Sequence, residues 1–365
     1  MKIDFANLIL SYNEHKSKID NAIADVISSS SFIMGKDVAV LEKKLSDFTG
    51  AKYAITCSNG TDALLLAMMA LNIQPGDEII TTPFTFISTA ETIAFLGAVP
   101  VFVDIDERTY NIDSTLIESK ITSKTKAIIP VSLFGQMADM KSINFIAKQH
   151  NLSVIEDGAQ SFGASSNGIR SCNYSTIATT SFFPAKPLGC FGDGGAVFTN
   201  DKDLADKIIS MRIHGQTKKY HHQYIGMGGR LDTLQAAILG VKIDNYKNDI
   251  LRRQKVANIY SLALKDVNAI LPYIKQENTS VWAQYSIRVK ERNKVQALLK
   301  ENGVPSAVYY PKPLHLQQCF NYLNYKKGDF KIAEKISNEI LSLPMNPYLL
   351  ESEQIYISKI LTEIL

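Results

Sequence analysis

Short runs of consecutive apolar residues alternate along this chain with longer segments whose apolar positions recur at helical spacing. The strand-like runs fall at residues 53–56, 78–81, 99–103, 127–131 and 153–155, and helical patterns at 63–71, 90–96 and 141–149 lie among them. That alternation predicts right-handed βαβ units and a mainly parallel sheet, because a parallel neighbour is reached only through a crossover. Residues 176–182 and 196–199 add further strands. A helical stretch over about 231–264 then leads to a second group, with strands expected at 284–289 and 306–310 and helices at 294–301, 332–341 and 352–364. We therefore expect an α/β fold in two parts. A large domain with an N-terminal helical segment would span residues 1–245, and a smaller C-terminal α+β domain residues 246–365. No repeat or low-complexity tract interrupts either.

Composition narrows the class. With 365 residues and 45% hydrophobic content the chain can bury a large core. The formal net charge is +3 and no basic run stands out, so nucleic acid binding has no electrostatic support. The longest apolar stretch, 63–71, falls well short of the ~20 residues that span a bilayer. Asp4 sits in an N-terminus without an extended apolar segment, unlike a secretory signal. Cys57, Cys172, Cys190 and Cys319 show no CxxC spacing, which fits a reducing cytoplasm. The six histidines show no zinc-type pairing, and no metal is expected.

Three segments carry candidate chemistry. Lys186 lies in Ser181-Phe-Phe-Pro-Ala-Lys-Pro-Leu-Gly-Cys-Phe-Gly-Asp-Gly-Gly195, among aromatics, prolines and glycines. Desolvation there would lower its pKa and free a lone pair for Schiff-base chemistry with a carbonyl, as pyridoxal phosphate requires. A loop lysine snorkelling past Phe183 and Phe191 is the alternative. Asp157, in Ile155-Glu-Asp-Gly-Ala-Gln160, follows an apolar run and would stand at the carboxyl end of a strand, where α/β sheets bind ligands. A carboxylate there could face a pyridine nitrogen, or it could be a turn aspartate. Ser58-Asn-Gly-Thr-Asp62 opens a helical pattern with small polar residues, which suits either a phosphate or an ordinary N-cap. The three in this order point to one site.

With Phe32-Ile-Met-Gly35, Pro75-Gly-Asp-Glu78, Thr85-Phe86, Gly192-Asp-Gly-Gly195, Arg230-Leu-Asp-Thr-Leu-Gln-Ala236 and Leu343-Pro-Met345, these segments resemble, over nearly the whole chain, the nucleotide-sugar aminotransferases of the DegT/StrS group. These are fold-type I pyridoxal phosphate enzymes. The resemblance implies that Lys186 holds the cofactor as a Schiff base and that Asp157 partners its pyridine nitrogen. It implies Gly60, Thr61 and Ser181 as phosphate binders, Gln160 near the 3′-hydroxyl, and Phe86 stacked on the ring. Phe84 would share a face with Phe86 in a regular strand, and a core role suits it better.

The resemblance further implies a cytoplasmic homodimer with shared active sites. Glutamate would donate the amino group, the cofactor would cycle through pyridoxamine phosphate, and the acceptor would be a keto carbon of a nucleotide-linked hexose. The product would serve lipopolysaccharide or another surface polysaccharide or glycoconjugate. Where relatives commonly carry Asn in Gly-x-Asn-x-Arg, reaching the partner's phosphate, this chain has Gly226-Met-Gly-Gly-Arg230, so Gly228 offers no side-chain donor. Arg230 is read as a substrate-anion site or a structural ion pair. The stretches His214-Gly-Gln, Tyr220-His-His and Arg230 onward resemble the branch that aminates C3 of UDP-linked 3-keto uronic sugars, although Tyr309-Tyr310 stands where that branch has His-Tyr. The loop ending at His315 is expected near the sugar. A sister branch, the 3-dehydratases, has histidine at the lysine position, so Lys186 argues against it. A regulatory protein of the same fold would be expected to lose Lys186 or Asp157.

Overall fold

The computed structural model describes residues 3–365. Its central sheet has seven strands: β1 (Tyr53–Cys57), β2 (Glu78–Thr81), β3 (Val99–Phe102), β4 (Thr125–Ile128), β5 (Ser153–Asp157), β6 (Ile177–Ser181) and β7 (Gly195–Thr199), in the order β1-β7-β6-β5-β4-β2-β3. β6, β5, β4, β2 and β3 pair in parallel, and β7 runs antiparallel to both β1 and β6. Helices cover both faces, which is why consecutive strand residues are apolar rather than alternating with polar ones. Side-chain alternation sends Ile177 and Val197 to the face covered by α3 (Gly60–Ala70) and α6 (Lys202–Met211), where they meet Leu66 and Ile208. Ala178 and Phe198 point the other way, to Leu41 and Leu45 of α2 (Lys36–Thr49) and Leu239 and Tyr246 of α7 (Thr233–Ala263). Between the strands lie α4 (Ser88–Phe95) and α5 (Met140–Gln149).

The N-terminal helical segment is resolved as α1 (Leu8–Ser29) and α2. Helix α7 runs unbroken through 245–246. Its first half lies on the sheet, and Val256, Ala257 and Tyr260 of its second half enter a C-terminal core with the antiparallel pair β8 (Tyr285–Arg288) and β9 (Ile340–Leu343) and with α10 (Glu351–Ile364). Ile3 joins that core. α8 (Arg292–Glu301) and α9 (Lys331–Glu339) complete this part. A shared apolar cluster, in which Phe84, Phe102 and Phe134 meet Leu314, Phe320 and Phe330, fixes it against the sheet's carboxyl edge. Arg288 adds a polar clamp, reaching Glu339 at 2.7 Å and Glu107 at 3.0 Å.

Two expectations fail in the C-terminal part. No strand forms over 306–310, where only Ala307 bridges to Ser342, because Pro305 and Pro311 bound the segment and supply no ladder donors. The helix expected over 332–341 ends at Glu339, since Ile340 to Leu343 pair with β8 and are buried on both faces.

Deep between α2, β1 and α6, Arg212 bonds Glu42 at 2.5 Å and the Thr56 carbonyl at 2.8 Å, with its side chain 4% exposed. Removing one partner of such a pair strands a buried charge. Arg212→Met should lower unfolding free energy by about 3 kcal/mol in denaturant titration. A change below about 1 kcal/mol would show that solvent reaches the pair.

Candidate active site

The site lies at the carboxyl edge of the sheet, where the β1–α3 turn, the ends of β5 and β6, and the start of α4 converge. Helix α3 begins at Gly60 after an Asn59 cap whose side chain accepts from Asp62 N at 2.8 Å. The opening N–H groups of α3 thus form a cationic helix end. A Cβ on Gly60 would stand 2.8 Å from Ser181 Cβ, so only glycine lets this helix start approach the end of β6. Thr61 Oγ1 lies 2.8 Å from Ser88 Oγ at the start of α4. Gly60, Thr61 and Ser181 therefore lie together as a cradle of backbone and hydroxyl groups at a helix N-terminus, a chemistry suited to an anion.

Strand alternation separates two neighbouring carboxylates. Glu156 points away from the cradle and is fully enclosed by Ser132 Oγ (3.0 Å), Ser171 Oγ (2.8 Å) and Cys172 N (2.9 Å), a structural knot. Asp157 points into the site. It accepts from Thr89 Oγ1 at 2.8 Å and from Ala159 N at 3.2 Å. Burial raises its carboxyl above the ordinary range, and Thr89, Ala159 and the charge of Lys186 oppose that rise. Lys186 sits in the turn after β6, its N–H donating to the Phe183 carbonyl at 2.8 Å. Part of the residue meets solvent, but desolvation around the ammonium lowers its pKa while the charge of Asp157 pulls the other way. This is the electrostatic environment of a nucleophilic amine beside a buried carboxylate.

Gln160 is buried, with Oε1 accepting from Phe134 N at 3.0 Å and Nε2 donating to Tyr310 Oη at 3.2 Å. Phe84 and Phe86 do not share a strand face, because residues 82–87 form no strand. Phe84 is 0% exposed and packs edge-on against Phe134 and Tyr310, whereas Phe86 is 56% exposed with its ring free to cover a ligand. Tyr309 and Tyr310 stand at a ring separation of 5.9 Å, and burial raises the hydroxyl pKa of both.

The loop over 226–230 is held against its own β1–α3 turn, since Ser58 N donates to Gly229 O at 3.1 Å and Gly229 N to Arg212 O at 2.9 Å. Gly228 does not occupy the left-handed region, and a Cβ there would meet only side chains, His214 at 3.3 Å and Arg230 Nη2 at 3.5 Å. Arg230 has no carboxylate partner among the described residues. His315 belongs to the loop expected near the sugar. It is 2% exposed, bonds Glu334 at 3.0 Å and lies edge-on to Phe330 at 4.7 Å, so it ties the 314–316 turn to α9. The aromatic cluster beneath that turn draws the imidazole inward. Two contributors escaped the sequence reading: Ser88 and Thr89 join the cradle to Asp157, yet hydroxyls at a helix start read as ordinary caps.

A helix-end anion cradle, a sheltered lysine and a buried carboxylate on the edge of this sheet define a pyridoxal phosphate enzyme. Residues 13–362 match the DegT/DnrJ/EryC1/StrS aminotransferase family, and the chain belongs to it. It is a pyridoxal phosphate-dependent sugar aminotransferase. The chain is 53% identical over 347 residues, covering 95% of it and 96% of the relative, to the UDP-2-acetamido-2-deoxy-3-oxo-D-glucuronate aminotransferase of Pseudomonas aeruginosa. It is 46% identical over 366 residues, covering 100% of it and 98% of the relative, to a protein of Geobacillus stearothermophilus called a pleiotropic regulatory protein. Among solved structures, NtdA from Bacillus subtilis with bound pyridoxamine phosphate superposes with a TM-score of 0.93 at 31% identity, covering 100% of this chain and 85% of that one.

Asp157→Asn keeps the shape and removes the charge, and should lower turnover on the order of 10²-fold. An unchanged rate would reduce Asp157 to a turn residue. Because Gly228 needs no special backbone, Gly228→Asn should tighten pyridoxal phosphate binding about tenfold by supplying a donor, while Gly228→Val should not. Cofactor dissociation constants weakened in both variants would contradict that.

Proposed function

We propose that this enzyme transfers an amino group from glutamate to C3 of a UDP-linked 3-keto hexose, working as a cytoplasmic homodimer in surface polysaccharide or lipopolysaccharide synthesis. The observation that carries the reading is the placement of Lys186 and Asp157, close enough for the charge of each to act on the other, at the sheet edge that also holds Gly60, Thr61 and Ser181. Pyridoxal phosphate, when bound, supplies an electron sink for a carbanion next to nitrogen. Gly60, Thr61 and Ser181 would hold its phosphate, Phe86 would cover its ring, and Gln160 would help to orient it. Asp157 would keep the ring nitrogen protonated. Lys186 would hold the cofactor, and its Nζ would serve as the base that takes a proton from the donor's α-carbon and as the acid that delivers one to the acceptor carbon. An amine whose pKa is lowered by desolvation is suited to that task near neutral pH.

The choice of C3 and UDP draws on the Pseudomonas relative, whose name specifies a 3-oxo uronate. Arg230, without an acidic partner among the described residues, is available for a carboxylate at C6. The retention of Lys186 and Asp157 weighs against both a 3-dehydratase and a purely regulatory protein. No helix among the described residues is long and apolar enough to cross a membrane.

A panel of 3-keto and 4-keto nucleotide sugars with glutamate should give turnover on a UDP-linked 3-keto sugar and little on a 4-keto one. Arg230→Met should raise KM about tenfold or more for a C6 carboxylate substrate and leave its C6 alcohol counterpart unchanged. Equal effects on both would remove Arg230 from sugar recognition.

A further inference from the structure

Away from the cradle, one lysine is almost wholly enclosed: Lys242 on α7 is 8% exposed. No carboxylate of the described residues lies within ion-pair distance of it. Its ammonium donates to the Gly189 carbonyl and stands over the Phe191 ring, 5.5 Å from the centroid. Burial lowers its pKa to about 8, with the charge of Asp249 opposing and that of Arg253 reinforcing the effect. An ammonium kept in such a place without a counter-ion needs a function that offsets its desolvation.

Its acceptor identifies that function. The turn bearing Lys186 leaves the sheet at Phe182 and doubles back on that residue at Cys190, closed by Cys190 N to Phe182 O at 2.8 Å and by Cys190 Sγ to the same carbonyl at 2.9 Å. Within it, Gly189 folds back on the peptides just before the lysine, so that a Cβ there would stand 2.4 Å from Pro184 O and 2.7 Å from Phe183 O. Two residues beyond Gly189, Phe191 N donates to Gln235 Oε1 at 2.8 Å, again on α7. Lys242 and Gln235 thus grip the returning limb of the turn, and that limb packs on the limb that presents Lys186.

We propose that Lys242 is a positioning residue for the amination chemistry: by holding the Gly189 carbonyl it fixes the turn that presents Lys186 and keeps water from the Lys186 nitrogen. The proposal rests on the assignment of Lys186 as the cofactor lysine, and the test separates the two. In Lys242→Met the carbonyl loses its charged donor, and the turn loosens. The pyridoxal phosphate dissociation constant should rise about tenfold or more. The pH at which the bound cofactor's absorption band shifts should also rise, since water admitted to the Lys186 nitrogen relieves the desolvation that disfavours its charged form. Lys242→Arg, which keeps a charged donor, should restore both readouts most of the way. Should the Met variant fail to fold, Lys242→Gln, with a neutral donor, carries the test, with a several-fold weaker dissociation constant expected. A lowered melting temperature with both cofactor readouts unmoved overturns the proposal. Borohydride reduction of the wild-type holoenzyme followed by peptide mapping guards the premise. Label on Lys186 leaves only the positioning role at stake, whereas label on Lys242 overturns the assignment of Lys186 and the proposal together.

Discussion

The site depends on one electrostatic constraint: a buried carboxylate and a partly buried amine share one desolvated edge of the sheet, and the charge of each bears on the other. Desolvation pushes Asp157 toward its neutral form and Lys186 toward its own, while the charge of each restrains the shift of the other. A heterocycle bound here with a protonated ring nitrogen would give Asp157 a counter-charge and leave Lys186 to act as a base. The rest of the fold serves to hold that arrangement. Parallel strands bring Asp157 and Ser181 to one edge, and α4 returns from β2 with Thr89 aimed at the carboxylate.

Rigidity around the pair comes from groups that never meet a ligand. Glu156 is locked by three donors, which fixes the register of β5 and so the direction of Asp157. The aromatic cluster of Phe84, Phe134 and Tyr310 braces Gln160 and joins the C-terminal part to the sheet edge. A catalytic geometry tolerates little slack, and buried polar knots of this kind limit it.

Much of this was legible in the chain. The βαβ alternation, the strand ends that carry Asp157 and Ser181, and the enclosed Lys186 follow from apolar runs and from the company each residue keeps. Phe86 was separated from Phe84 by resemblance alone, and its exposure supplies the physical reason. The strand expected at 306–310 fails because Pro305 and Pro311 bound it, and the reach of the helix over 332–341 was not legible, because pairing of Ile340 to Leu343 with Tyr285 to Arg288, far away in sequence, decides it, not local pattern. The burial of His315 was not legible either. A histidine beside prolines and tyrosines reads as a binding loop, yet Glu334 and Phe330, both distant in sequence, draw it inside. Thr89 and Lys242 carry no local signature at all, since a helix-start hydroxyl and a mid-helix lysine have ordinary explanations until tertiary contacts are known.

Catalysis turns on Asp157 holding the cofactor's ring nitrogen in its charged form, and the nitrogen itself can be observed. With ¹⁵N-labelled pyridoxal phosphate bound to the enzyme at neutral pH, the ring resonance should lie at the protonated position in the wild type and move to the unprotonated one in Asp157→Asn. A wild-type resonance at the unprotonated position, or one that Asp157→Asn leaves in place, would contradict it.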